Sequence, residues 1–202
     1  MINDLYIKII SCKAEDQKFS IGFVVPSLKD MQVMAYLLTL VLEGKGTLFG
    51  PMDAKSVTEE FQNAYYKALA KFPTIIQWEM EFSISVDYFN KKQSFECKFR
   101  DKESENMNID LLCVNSDAVG IRIDFHAVDD ANLKSACAFI YMILRGKGAK
   151  DDNTYAHIIY EQLNNAFFEY KKNDIRTKVD DISFLYALMY ETGEQRFICY
   201  SN

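Results

Sequence analysis

Apolar and polar positions alternate in period two over Leu5 to Cys12 and again over Phe19 to Val25, which predicts two strands joined by a polar turn. Ser27 then stands as an N-cap before a helix of about Leu28 to Glu43 that is apolar nearly all round. A helix of that kind needs cover on both sides, so it is expected at the centre of a core. A second helix follows, with Val57, Phe61, Ala64, Tyr65, Ala68 and Phe72 at spacings of three and four and Glu59, Glu60 and Lys67 outside the stripe. Residues Gln77 to Phe89 and Gln93 to Arg100 alternate again and read as a hairpin turning at Asn90 to Lys92.

The same succession returns 102 residues later. Strands are predicted over Asn106 to Val114 and Gly120 to His126, an Asp129-capped helix over Asp130 to Arg145, and an amphipathic helix carrying Ile159, Leu163, Ala166, Phe167 and Tyr170. A closing hairpin turns at Thr192 to Glu194. At this offset Leu42, Gly44, Lys45 and Gly46 fall on Leu144, Gly146, Lys147 and Gly148, Phe23 on Phe125, Phe82 on Phe184 and Cys97 on Cys199, with no gap. The expectation is an α+β protein made by tandem duplication of a ββααββ unit, 1–101 and 103–202, with antiparallel sheets packed on buried helix pairs in one pseudo-two-fold body.

A second parsing groups the four consecutive strands in 77–126 with the two helices that follow, as β-β-β-β-α-α, the chain ends pairing to complete the other half. At the level of topology this loosely resembles single-strand-binding folds of the Whirly type. That resemblance implies a single-stranded nucleic-acid binder, and it rests on element order alone.

Composition sets limits on function. Apolar residues make up 49% and charged residues 26% of 202 residues, as in ordinary globular chains, with 15 Phe and 12 Tyr. A net charge of −6 opposes non-specific attraction to nucleic acid or anionic lipid. The apolar runs Val33 to Leu42 and Ala136 to Leu144 reach only half of a bilayer span. Five cysteines (Cys12, Cys97, Cys113, Cys137, Cys199) show no metal-type spacing and read as reduced thiols, and Met1 to Lys8 has no secretory pattern, so a cytoplasmic protein is expected. With only His126 and His157 available, no catalytic residue, metal ligand or cofactor is assigned, and the chain is not read as an enzyme.

Two constellations stand out. The doubled Gly44-Lys45-Gly46 and Gly146-Lys147-Gly148 reads first as a helix C-cap and alternatively as an anion-binding nest, which would make the protein a small-anion or nucleotide sensor. The second concerns the two hairpins. On the outer face of the first stand Ser83, Ser85, Asp87, Glu96 and Lys98, whereas the matched positions of the last hold Leu185, Ala187, Met189, Ile198 and Tyr200. Five such residues call for a cover, from within the chain or from a partner. The basic residues Arg145, Lys147, Lys150, Lys171, Lys172, Arg176 and Lys178, with Tyr66 and Phe168, form the patch a nucleic-acid reading would use. The leading expectation is a non-enzymatic binding or regulatory protein of bacterial or viral origin, acting on another protein or on itself as a homodimer.

Overall fold

A computed structural model describes residues 6–44, 53–74, 76–148 and 155–201. The chain runs β1 (Ile7–Ala14), β2 (Lys18–Val24), α1 (Leu28–Gly44), α2 (Ala54–Lys71), β3 (Met80–Asp87), β4 (Lys92–Phe99), then β5 (Ile109–Ser116), β6 (Gly120–Ala127), α3 (Asp130–Gly146), α4 (Ala156–Lys171), β7 (Ile182–Met189) and β8 (Gln195–Ser201). All eight strands join one antiparallel sheet in the order β4-β3-β2-β1-β5-β6-β7-β8, with four helices beside it. The plural sheets expected from the pattern are thus a single sheet. The β-β-β-β-α-α parsing fails, because β1 lies at the centre and β8 at an edge, so the chain ends do not pair.

Bounds and registers recur at the 102-residue offset. α1 and α3 begin and end at matched positions, as do β3 and β7 and the single 3-10 turns Gln77–Glu79 and Val179–Asp181. Ile9 pairs with Phe23 as Leu111 pairs with Phe125, and Phe82 with Cys97 as Phe184 with Cys199. The bulge in β1 between Ile9 and Ser11 has its match in β5 between Leu111 and Cys113. The halves of the sheet meet through Ile7–Leu111, Lys8–Asp110 and Ile9–Ile109. Lys8 and Asp110 are themselves 102 apart, so the local two-fold relation passes through this pair, whose charges lie 3.8 Å apart.

The inward side of the sheet and the helices build one core. Phe23, Phe61 and Phe82 are fully buried, with the Phe61 ring edge-on to Phe23 at 5.1 Å and to Phe95 at 5.0 Å. Edge-to-face pairs of this kind add about 0.5–1.5 kcal/mol each beyond the area they bury. In α1 the residues Met31, Met34, Leu37, Leu38, Val41 and Leu42 are all buried, as an all-round apolar helix requires. The helices start where capping chemistry stands: Ser27 Oγ accepts from the Asp30 N–H at 3.2 Å, and Asp129 Oδ1 from the Asn132 N–H at 2.8 Å.

Two local differences from the sequence pattern have physical causes. Gln77–Glu79 forms a 3-10 turn, so β3 starts only at Met80 and Trp78 lies exposed outside the core stripe. The last turn also begins earlier, with Glu194 C=O accepting from the Met189 N–H and Gly193 at φ +67°, a left-handed conformation that costs glycine little.

Candidate functional site

The helices leave the opposite face of the sheet open, and cross-strand pairing turns it into a grid. In the first half its rows are Ser11–Gly22–Ser83–Glu96 and Lys13–Ser20–Ser85–Ser94, with Lys18–Asp87–Lys92 at the far end. In the second half they are Asp110–His126–Ser183–Tyr200, Cys113–Asp124–Leu185–Ile198 and Asn115–Arg122–Ala187–Arg196. The first half is therefore small and polar. The second mixes an ionic cluster near the middle of the sheet with an apolar group toward β8.

The ionic cluster is tightly satisfied. Asp124 is only 4% exposed and accepts two hydrogen bonds from Arg122, at 2.8 and 2.6 Å, and one from the Tyr200 hydroxyl at 3.2 Å. The carboxylate bond raises the Arg122 pKa further. Burial, then the Asp124 charge, raises that of Tyr200. Beside them His126 Nε2 lies 2.9 Å from the Asp180 carbonyl, and its Nδ1 3.7 Å from Asp110. Strand alternation in β6 puts Arg122, Asp124 and His126 on one face, whereas the bonding of Tyr200 into that group carries no signal in the sequence.

The five interface candidates share this face but differ in access. Leu185 is 8% exposed and sits between Asp124 and Ile198, whereas Met189 is 43% and Ile198 38% exposed, with Ala187 and Tyr200 half-buried. The accessible apolar surface is thus at Met189 and Ile198. β8 forms the sheet edge, pairing only with β7 among the described strands. The other edge, β4, carries Lys92, Glu96 and Lys98 on the open face; Lys98 lies 3.5 Å from the buried Glu81. Charges of this kind on an edge strand discourage pairing with another chain, and β8 carries only Arg196 in their place.

The glycine-lysine-glycine positions fall elsewhere, where α1 meets α3. Lys45, Gly46 and Lys150 lie outside the described residues. Gly44 and Gly146 are the last residues of their helices. A Cβ on Gly146 would lie 1.8 Å from the Leu40 carbonyl oxygen, and one on Gly44 2.3 Å from that of Met142, so both glycines let the helix backbones approach. Among the described glycines of the two motifs, Gly148 has a positive φ, +76°, and open space around it. The Lys147 ammonium turns inward, 3.2 Å from the Tyr36 hydroxyl and over the Tyr36 and Tyr190 rings. Burial pulls its pKa down, but the tyrosine contacts outweigh that and the net direction is upward.

Much of the basic run is engaged locally. Lys172 pairs with Glu169 at 2.6 Å and Arg176 with Asp174 at 3.4 Å, Lys171 lies over Phe167 and Arg145 over Tyr141. Tyr66 and Phe168 are exposed. Among the described residues no cluster of His, Cys, Asp and Glu is placed to hold a metal ion, and no helix is long and apolar enough to cross a membrane. No family model, curated protein or solved structure matches the chain.

Proposed function

We propose that the chain is a tandem duplication, 1–101 and 103–202, in which the second unit became a binding surface: a non-enzymatic regulatory protein that associates with a second copy through the β8 edge and the open face beside it. The matched bounds and registers support the duplication. The observation that carries the functional reading is the difference at matched positions on the open face, Ser83, Ser85, Asp87, Glu96 and Lys98 against Leu185, Ala187, Met189, Ile198 and Tyr200. Ile198 is the middle residue of β8, so antiparallel pairing of two β8 strands would set Ile198 against its own copy and Arg196 against the partner copy's Tyr200, an aromatic-cation contact. None of the five cysteines is in a disulfide, which supports a cytoplasmic location.

The test compares two double variants by solution mass. Met189→Glu with Ile198→Glu places charges at the exposed apolar positions and gives a folded monomer; Ser83→Glu with Ser85→Glu, on the matched face of the other half, leaves the assembly unchanged. Equal behaviour of the two variants contradicts the reading. Leu185→Glu is unsuitable, because burying a carboxylate beside Asp124 would unfold the hairpin.

A further inference from the structure

A cavity of about 130 Å³ lies between α3 and strands β1 and β2, lined by Cys12, Ala14, Met107, Ala138, Phe139 and Met142 among others. Its place is informative because the chain holds a filled version of it. At the 102-residue offset Ala138 corresponds to Tyr36 and Ala14 to Ser116. In that second location the Tyr36 ring packs against the core and its hydroxyl reaches Ser116 Oγ at 3.4 Å. One location is therefore filled by a phenol ring, and the other is open where alanine replaces tyrosine. An engineered apolar cavity of about 150 Å³ in another protein takes up benzene, so the volume suits a single ring. The Met107 and Met142 side chains offer the polarizable contacts that aromatic rings favour.

The far end of this cavity is not closed. Ala14 is exposed, and with Met142 it also lines an adjoining cleft of about 780 Å³ that, among the described residues, carries Glu15, Asp16 and Glu43 beside the cation Arg145, which leans over the Tyr141 ring. In the filled location the end of the ring at Ser116 bears the hydroxyl; here the corresponding end, at Ala14, opens toward three carboxylates. We propose that cavity and cleft together bind a small molecule made of one aromatic ring with a short cationic chain, an arylalkylamine. Its ring lies between Ala138 and Ala14, and its ammonium lies beside Glu15 and Asp16.

The test uses phenethylamine as probe and methionine-methyl NMR of the full chain. Saturable shifts are expected at Met107 and Met142 and not at Met31, Met34 or Met80, with a dissociation constant of about 1 mM for so small a ligand. Phenylacetate, of the same ring but opposite charge, binds at least about tenfold more weakly, because the same carboxylates repel it. Ala138→Tyr supplies the missing ring and abolishes the response, and the comparison of the two probes on the unaltered chain stands even if that variant does not fold. Absence of saturable shifts at Met107 and Met142, phenylacetate binding as tightly as phenethylamine, or an undiminished response in folded Ala138→Tyr would each overturn the proposal.

Discussion

Substituting Gly146 by alanine is expected to be the most damaging single-methyl change at the helix crossing. The added Cβ would stand 1.8 Å from the Leu40 carbonyl oxygen and 2.7 Å from Leu40 Cα, whereas ordinary contact begins at 3.4 Å. The obstacle is backbone, which no rotamer change can move, so α1 and α3 must separate by more than an ångström. Overpacking of this severity lies at the upper end of about 1–3 kcal/mol, and the better helix propensity of alanine returns up to about 1 kcal/mol. A net loss of about 2–3 kcal/mol lowers the melting temperature of a chain this size by about 4–12 °C. Gly148→Ala provides the contrast. Nothing lies within 4 Å of its Cβ, and only the positive φ of +76° opposes it, which costs about 1–2 kcal/mol. Urea denaturation followed by circular dichroism measures both, and Leu40→Ala in the Gly146→Ala background brings no rescue, since the clash is with the main chain. A neutral Gly146→Ala, or a Gly148→Ala that costs more, would refute the close helix crossing.

Other expectations follow from single contacts. Tyr200→Phe removes one of three hydrogen bonds to the buried Asp124 and lowers stability by about 1–2 kcal/mol in chemical denaturation; no change would mean the hydroxyl contributes nothing there. Burial pushes the thiols of Cys97, Cys137 and Cys199 up to about 12, so at pH 8 they react slowly with a thiol reagent in the native chain and quickly in urea. Rapid native labelling of Cys137 would contradict its burial. Asp130 is held below its ordinary 3.8 by its bonds to Lys134 and then Tyr160. A depressed carboxylate pKa stabilises the folded state above the unfolded value and loses that contribution as pH falls through the folded one. Below pH 3.8 the wild type should therefore lose stability more steeply than Asp130→Asn, and parallel pH curves would count against the bond.

Elements with strong periodicity and a capping residue were legible: Ser27 and Asp129 mark their helices, and alternation marks the hairpins. The junction of the halves was not, because it rests on three residue pairs around Lys8 and Asp110, too short a stretch for any pattern. Nor was the Gln77–Glu79 turn, since Trp78 continues the apolar alternation while lying outside the strand. The glycine-lysine-glycine signal was visible, but its cause in Gly44 and Gly146 is the approach of another helix, which depends on tertiary placement. The sequence pattern put the five interface candidates on one face, and the sheet registers do the same. It could not separate Leu185, enclosed by its neighbours, from Met189 and Ile198, which remain accessible. The open cavity at Ala138 had a signal, the mismatch with Tyr36 at the offset, whose meaning needed the matched registers.

The most direct test of the proposed function is the light-scattering mass of the purified chain across a dilution series, beside Met189→Glu with Ile198→Glu. Self-association through β8 gives twice the 23.4 kDa chain mass for the wild type and a folded species at 23.4 kDa for the variant. A wild type at 23.4 kDa throughout would contradict self-association through β8.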